Sequence, residues 1–242
     1  MTDTRPLTGE RTVPDVPSEN YWFQRHVAAY RHAAALVAGA VVDAGCGEGY
    51  GAAILARRAR VVIGTDLDAP TLHHASRRYS SPRFLRCDVA RIPLGTESVD
   101  AIVALQVVEH LVDADGFARE CARILRPGGV LVVSTPNRPT FPSGMNPFHV
   151  HEYDAADLAT LLQASFSRVR LLGLVHRAPL RLVERMLGEP IQARLVRTPY
   201  QELPRSLRAV LRTVTPRGFH LSADTSGALD LFAVCRNAPY GA

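Results

Sequence analysis

A glycine-rich loop near the start of the chain constrains the fold more than any other feature. Residues 41–51 read VVDAGCGEGYG, so that a short β-branched run is followed at once by Gly45, Gly47 and Gly49 and then by a helix-like stretch. Glycines in this position allow a tight turn and the close approach of a ligand to the backbone. The first turn of the helix offers unpaired N–H groups. The segment therefore predicts a strand–loop–helix unit that binds a ligand at the carboxyl end of the strand.

Short strands and longer helices continue to alternate along the chain. Strands are predicted at 40–43, 61–64, 83–86, 100–105, 129–134, 167–175 and 229–235. Helices are predicted at 21–37, 52–59, 70–79, 116–125 and 154–163, with an Arg-rich helical stretch over 179–216. This alternation predicts an α/β fold, in which a seven-stranded, mostly parallel sheet carries helices on both faces. An N-terminal helix and a helical insertion before the last strand complete it.

The basic residues exclude several classes of enzyme. All 28 of them are arginine, so the chain has no lysine. A pyridoxal Schiff base, a P-loop lysine and the lysine of protein kinases are thereby excluded. The four cysteines have no metal-ligand spacing, and we expect them to be reduced packing residues.

Hydropathy indicates where the protein resides. No apolar run approaches the ~20 residues that a transmembrane helix requires, and the first thirty residues lack the apolar core of a secretory signal. We therefore expect a cytoplasmic protein without a membrane span.

Two acidic residues at strand ends indicate the kind of ligand. Asp43 ends the first predicted strand, and Asp66 ends the second, 23 residues later. An acid at the second place is suited to hold the two hydroxyls of a ribose. A dinucleotide loop usually excludes acids so that a pyrophosphate can approach, whereas Asp43 and Glu48 bring negative charge to this loop. The pattern favours a ligand with cationic groups, such as the amino and sulfonium groups of S-adenosylmethionine.

The loop resembles motif I of the class I S-adenosylmethionine-dependent methyltransferases. Segments 64–68, 87–89, 105–111 and 125–129 resemble later motifs of that family in the same order, so the resemblance covers residues 40 to about 165. It implies a Rossmann-like sheet and an enzyme that uses S-adenosylmethionine. It also implies which residues hold the cofactor: Asp43, Gly45 and Gly47 the methionine portion, Asp66 the ribose, Leu67 and Val89 the adenine ring, Asp88 the adenine amino group, and Leu105 and Gln106 the closing wall.

A second resemblance concerns the acceptor side. After the fourth strand the chain reads LQVVEH at 105–110, which lacks the Asn/Asp-Pro-Pro-Tyr/Phe motif of base amino methylation and disfavours DNA as the acceptor. Glu109-His110, together with FHVHEY at 148–153, resembles the E-x-x-E-H motif and later histidine of magnesium-dependent O-methyltransferases of quinone pathways and small-RNA 3′ ends. This resemblance implies that Glu109, His110 and His149 bind Mg²⁺.

The same resemblance implies the catalytic residues. His151 is the candidate base that deprotonates the acceptor hydroxyl, and His149 is the second catalytic candidate. Gln106 stands where the motif has its first acid, which removes one of the hard oxygen ligands that magnesium prefers. The alternative interpretation is that His110 packs against the sheet and that His149 or His151 caps the following helix.

The N-terminal segments 8–11 and 19–26 resemble the cover of actinobacterial methyltransferases that modify sugars and polysaccharides. With this resemblance we predict three parts: a cover segment at 1–39, a methyltransferase core at 40–178 plus 217–242, and an Arg-rich helical insertion at 179–216 that acts as a lid over the acceptor. Tyr21 and Trp22 could stack on a sugar or on adenine. Alternatively, these aromatic side chains anchor their helix to the core.

Three hypotheses for the acceptor follow. The first is a hydroxyl of a sugar or oligosaccharide, as in a precursor of a mycobacterial-type methylated polysaccharide. The second is a quinone or polyketide phenol, since the leucines of 179–216 would permit an apolar pocket. The third is RNA, because residues 173–217 contain nine arginines and three glutamates, a net charge of 9 − 3 = +6. Few aromatic residues accompany these arginines, so we do not expect nucleic acid to be the partner. The sequence leaves open whether the protein forms a homo-oligomer.

Overall fold

One sheet organises the protein. In the computed structural model, which describes residues 12–141 and 146–237, eight strands are hydrogen-bonded in the order β3-β2-β1-β4-β5-β8-β6-β7. The strands are β1 (Ala40–Ala44), β2 (Val61–Asp66), β3 (Arg83–Arg86), β4 (Val99–Leu105), β5 (Leu125–Pro136), β6 (Arg168–His176), β7 (Phe219–Ser222) and β8 (Asp230–Arg236).

The sheet is mostly parallel, as the sequence predicts. Strands β1 to β5 pair in parallel, whereas β8 is antiparallel to both β5 and β6. The strand count differs from the prediction, because the four residues of β7 form an additional edge strand that is antiparallel to β6. Their sequence, FHLS, is too short and too polar to stand out as a strand. The carboxyl ends of β1, β2, β4, β5 and β6 and the amino end of β8 therefore share one edge of the sheet.

Eight helices cover the sheet within the described residues. They are α1 (Asn20–Ala34), α2 (Tyr50–Leu55), α3 (Ala69–Arg78), α4 (Ala114–Ile124), α5 (Ala155–Gln163), α6 (Ala178–Leu187), α7 (Ile191–Arg197) and α8 (Arg205–Thr213). Helix α2 is shorter than predicted because the chain turns after it, and the Arg60 amide donates to the Gly39 carbonyl at 2.8 Å as β2 begins. None of these helices has the combination of length and apolar character that crossing a membrane requires.

Two apolar cores lie on opposite faces of the sheet. Successive residues of a strand point to opposite faces, so Val41 is buried in the first core and Val42 in the second. Helices α1, α2 and α6 to α8 contribute to the first core. Helices α4 and α5 contribute to the second. The Arg-rich segment is thus fixed to the same face of the sheet as α1.

Candidate functional site

The glycine loop between β1 and α2 has a backbone that other residues adopt rarely. Gly45, Gly47 and Gly49 have φ angles of 70°, 47° and 80°. A Cβ atom on Gly45 would lie 2.5 Å from Cγ2 of Val107, which is closer than side-chain packing permits. The loop therefore depends on glycine for its backbone angles and, at Gly45, also for space.

Asp66 fixes this loop from the neighbouring strand. Its Oδ2 accepts a hydrogen bond from the Gly47 amide at 2.9 Å, and its Oδ1 accepts one from the Asp68 amide at 3.0 Å. Leu67 follows with 62% of its surface exposed. The partly exposed carboxylate of Asp66 suits the hydroxyls of a ribose, which is the contact predicted for it. The exposed apolar side chain of Leu67 suits a flat ring, as the predicted adenine contact requires.

Asp43 is the buried acid of the site. The Tyr30 hydroxyl donates to Oδ1 at 3.0 Å, while Oδ2 has no hydrogen bond of normal geometry in the described part of the chain. Burial raises the pKa of Asp43 to about 8, with a further contribution from the charge of Asp66, although the Tyr30 bond opposes the rise. A buried, incompletely hydrogen-bonded carboxyl of this kind fits a cationic ligand group.

Tyr30 is a site residue that the sequence interpretation missed. It comes from α1 and lies over the start of α2, where a Cβ on Gly51 would be 2.0 Å from its ring. The sequence does contain one indication of this contact: Gly51 is a fourth glycine, placed in the first turn of α2, where a glycine suggests that another group packs closely against the helix.

The remaining predicted cofactor residues lie along the same edge. Asp88 follows β3 and accepts from the Ala90 amide at 2.9 Å, Val89 is buried, and Leu105 is buried at the end of β4. Gln106 comes next and has a left-handed φ of 57°, which is uncommon outside glycine. This turn directs its side-chain amide toward Ser134 Oγ and Asp230 Oδ1, both at 3.2 Å.

Asp230 belongs to a buried set of polar side chains, which we call the Arg25–Asp230 network. The Arg25 guanidinium, 2% exposed, donates to both carboxylate oxygens of Asp230, with Nε at 2.6 Å from Oδ2. Nη1 of Arg25 donates to Gln192 Oε1 at 2.8 Å, and the Gln192 amide donates to the Thr140 carbonyl at 2.6 Å. The network joins α1, β8, α7 and the segment after β5 to Gln106. The sequence did not indicate it, because its members are far apart along the chain.

The acceptor side contains a cluster of three potential metal ligands. One ligand atom from each of Glu109, His110 and His149 lies within 4.8 Å of the others. Glu109 is 1% exposed, and neither of its oxygens forms a hydrogen bond of normal geometry with the described residues, although the Thr135 hydroxyl is nearby. Burial raises the pKa of Glu109 to about 8. We call these residues the Glu–His–His cluster.

Each histidine of the cluster is oriented by a neighbour. Nδ1 of His110 donates to the Phe148 carbonyl at 2.9 Å, which leaves Nε2 with a free lone pair. Nε2 of His149 accepts from the Asn146 side-chain amide at 2.9 Å. Burial, and then the nearby His110, lower the pKa of His149. The lowered pKa favours the neutral imidazole of His149, the form that a metal ligand or a base requires.

His151 lies outside the cluster. Its backbone amide donates to the Glu109 carbonyl at 3.2 Å, but its side chain is exposed and its ring lies against Tyr153, with the ring centroids 4.4 Å apart. The structure thus brings Glu109, His110 and His149 together and leaves His151 at the surface beside them.

A cavity of about 380 Å³, with both polar and apolar side chains in its wall, opens at the same edge of the sheet. It lies between the end of β6, helices α6 and α7, and Thr140 of the segment after β5. The polar side chains in its wall include Arg181, Glu184, Arg185, Gln192, Ser222 and Asp224. Gln192 connects the cavity to the Arg25–Asp230 network, and Phe141, the residue after Thr140, places its ring 5.6 Å from that of His149.

Comparison with known proteins identifies a family. A profile described as a methyltransferase domain matches residues 42–133. A probable S-adenosylmethionine-dependent methyltransferase of Mycolicibacterium smegmatis is 44% identical, over 95% of this chain and 94% of its own length. A ubiquinone biosynthesis O-methyltransferase of Bradyrhizobium is 35% identical over 40% of each chain. The crystal structure of an S-adenosylmethionine-dependent methyltransferase from Thermotoga maritima has the same fold, with a TM-score of 0.63 at 17% identity over 89% of this chain and 92% of that one.

Proposed function

The chain belongs to the S-adenosylmethionine-dependent methyltransferases, and we propose that it methylates a hydroxyl of a sugar or oligosaccharide. The observation that carries this proposal is the cavity at the same edge of the sheet, where Thr140 of the wall is followed by Phe141, whose ring lies against His149. Its wall offers carboxylate, hydroxyl and guanidinium groups, which are partners that a polyhydroxylated acceptor needs. A precursor of a methylated polysaccharide of the mycobacterial type is one acceptor of this class.

The cofactor lies, in this proposal, along the edge from β1 to β4. Bound S-adenosylmethionine supplies an electrophilic methyl group on a sulfonium sulfur. Asp43, Gly45 and Gly47 hold the methionine portion, and Asp66 binds the ribose. Leu67 and Val89 contact the adenine ring, Asp88 its amino group, and Leu105 and Gln106 close the pocket. These residues position the methyl group, and alignment of donor and acceptor supplies most of the rate enhancement such a transfer needs.

The acceptor hydroxyl must lose a proton as it is methylated. We propose that Glu109, His110 and His149 hold a divalent cation, which would lower the pKa of a hydroxyl bound to it. One carboxylate and two imidazoles fit such an ion, although this donor set suits a first-row transition metal better than the Mg²⁺ of the predicted site, since Mg²⁺ prefers oxygen ligands. His151, exposed beside the cluster, is the proposed base, and the lowered pKa of His149 makes it the second candidate.

Methylation of a quinone or polyketide phenol is the second candidate function. The partial similarity to a ubiquinone biosynthesis O-methyltransferase favours it. The insertion favours it less, because Leu180, Leu203, Leu207 and Leu211 are buried in the core against the sheet and so do not line an apolar acceptor pocket.

The experiment is transfer of labelled methyl from S-adenosylmethionine to neutral and acidic saccharides, quinone phenols and short RNAs. Each reaction is run with Mg²⁺, with Mn²⁺ and with a chelator. Label in a saccharide supports the proposal, whereas label only in a phenol or an RNA contradicts it. A rate that the chelator leaves unchanged would remove the cation from the mechanism but leave the acceptor assignment standing.

His151→Ala tests the base in the same assay. We expect cofactor affinity to be retained and turnover to be lost. His73→Ala, which removes an exposed histidine on α3, is the control and should leave both unchanged. Full turnover by His151→Ala would exclude His151 as the base; His149 could then take that role only in a site where it does not bind the cation.

A further inference from the structure

Two arginines in the wall of this cavity form no ion pair with an acid of the described residues, although Arg181 is close enough to Glu184 for their charges to interact. Arg181 and Arg185 are one helical turn apart on α6, so both side chains extend from the same side of the helix. Both are exposed and line the cavity. Within residues 12–141 and 146–237, neither side chain forms an ion pair or a hydrogen bond, whereas Arg194 and Arg197 on the next helix both pair with Glu189.

The acids of the same wall already have partners. Glu184 accepts from Nδ1 of His176 at 3.0 Å and from the Ile191 amide at 3.1 Å. Burial alone would raise the pKa of Glu184, but the hydrogen bond and charge of His176, the Ile191 amide and the charge of Arg181 together lower it. Asp224 accepts from the amide and the hydroxyl of Ser226, at 2.9 and 2.7 Å. The two guanidinium groups are therefore the charges in this wall without a hydrogen-bonded counterpart.

We infer that the acceptor is an anionic saccharide whose carboxylate or phosphate group is bound by Arg181 and Arg185. This inference rests on the proposed function. Guanidinium groups bind both anions through paired, charge-assisted hydrogen bonds. The Ser222 hydroxyl, also in the wall, could then bind a sugar hydroxyl.

The position of the arginines agrees with this role. Thr140 lines the cavity, and the ring of the next residue, Phe141, has its centroid 5.6 Å from that of His149 in the Glu–His–His cluster. Gln192, also in the cavity wall, belongs to the Arg25–Asp230 network through its hydrogen bond with Arg25. An acceptor anchored by its anion at α6 would extend from the insertion toward the cluster.

The test measures binding before catalysis. Protein loaded with S-adenosylhomocysteine is titrated with inorganic phosphate, glucuronate, glucose 6-phosphate and glucose, using calorimetry or ligand-detected NMR. The variant is Arg181→Gln with Arg185→Gln. The matched control is Arg205→Gln with Arg208→Gln, which removes the same charge from α8 at positions that do not line the cavity.

We expect the anionic probes to bind the α6 variant about tenfold more weakly than they bind the parent, a change of about 1.4 kcal/mol in binding free energy. Their affinity for the control variant should equal their affinity for the parent. Affinity for S-adenosylhomocysteine should be the same in all three proteins, which shows that the fold is intact. A response to glucuronate alone or to glucose 6-phosphate alone identifies the anion as carboxylate or phosphate. Anion affinity that is equal in parent and α6 variant, or absent in the parent, overturns the inference.

Methyl transfer separates this inference from the proposed function. If acidic saccharides are methylated, the α6 variant should raise their KM and change kcat little. If only neutral saccharides are methylated, with a KM that the α6 variant leaves unchanged, the proposed function stands and the anion site is wrong. If the arginines bind anions but no saccharide is methylated, the anion site stands and the saccharide acceptor is wrong.

Discussion

At the scale of single residues, the two acids of the proposed cofactor site differ in burial and in hydrogen bonding. Asp43 is buried and incompletely hydrogen-bonded, whereas Asp66 is partly exposed and accepts two backbone hydrogen bonds. Two neighbouring carboxyls in such different surroundings give the loop a protonatable acid at one end and a fixed hydrogen-bond acceptor at the other.

The raised pKa of Asp43 leads to a prediction about pH. Burial raises this pKa from 3.8 to about 8, so the folded free enzyme holds a proton that the unfolded chain has already lost. Its contribution to the free energy of unfolding therefore falls as pH rises from about 4 to about 8. A cationic cofactor beside Asp43 favours the ionised form, so we expect proton release on binding below pH 8 and tighter binding as pH rises toward it.

Calorimetry in two buffers of different ionisation enthalpy measures that proton release. Asp43→Asn should remove most of the release and weaken binding. Cofactor binding at pH 6.5 without proton release would contradict the placement of a cationic group beside Asp43.

Asp66→Asn tests the ribose contact. The substitution keeps the shape of the side chain but removes its charge, and hydrogen bonds to charged groups contribute about 1.5–3 kcal/mol. We expect S-adenosylmethionine to bind tenfold to a hundredfold more weakly, at roughly these energies. The protein should still fold but unfold at a lower temperature, because Asn can accept only one of the two backbone hydrogen bonds that Asp66 accepts. Glu97→Gln, an exposed acid before β4, is the control and should bind normally. Unchanged affinity in Asp66→Asn would count against the ribose role.

At the scale of elements, the turn from β1 into α2 depends on a contact with the turn that follows β4. Gly45→Ala would place a Cβ 2.5 Å from Val107 and force alanine to a φ of 70°. The left-handed backbone alone costs about 1–2 kcal/mol, and the steric overlap adds to it. We expect Gly45→Ala to lower the free energy of unfolding by at least this amount and to abolish measurable cofactor binding.

Gly95→Ala is the matched control for this substitution. A Cβ at Gly95 meets no atom within 4 Å, so stability should change little. Denaturant unfolding of both variants, followed by calorimetry with the cofactor, makes the comparison. Equal stability of the two variants would show that the contact between Gly45 and Val107 is unimportant.

The elements themselves were largely predictable from the sequence, because most strands are apolar runs bounded by turn residues. The short strand β7 was missed, since two of its four residues are polar and its formation depends on pairing with β6. The Glu–His–His cluster was predicted through a family resemblance rather than from local pattern. The Arg25–Asp230 network was not predicted at all, because its two charged members are 205 positions apart and nothing in the segments around them indicates that they pair.

At the scale of the whole molecule, this network connects parts of the chain that the sequence presents as separate. Arg25 comes from the N-terminal helix, Asp230 from β8 and Gln192 from the insertion, and Asp230 also binds Gln106 at the cofactor edge. The network therefore links these three parts of the chain to Gln106 through side-chain hydrogen bonds.

Arg25→Met measures how strongly the network holds these parts together. Removing one partner of a buried ion pair leaves an uncompensated charge and typically costs about 3–5 kcal/mol. We expect a loss of this size in urea unfolding. The double variant Arg25→Met with Asp230→Asn should be more stable than the sum of the two single losses predicts, because no buried charge remains unpaired. Strict additivity would mean that the two side chains do not act as a pair.

The central claim is that a methyl group passes from S-adenosylmethionine to an oxygen of a saccharide. The most direct measurement uses cofactor labelled with ¹³C in the transferred methyl and acidic and neutral saccharides as acceptors, followed by NMR of the purified product. We expect a single labelled O-methyl signal correlated with a sugar ring proton. A labelled methyl on nitrogen, carbon or sulfur, or on a phenolic oxygen in place of a sugar oxygen, would contradict it.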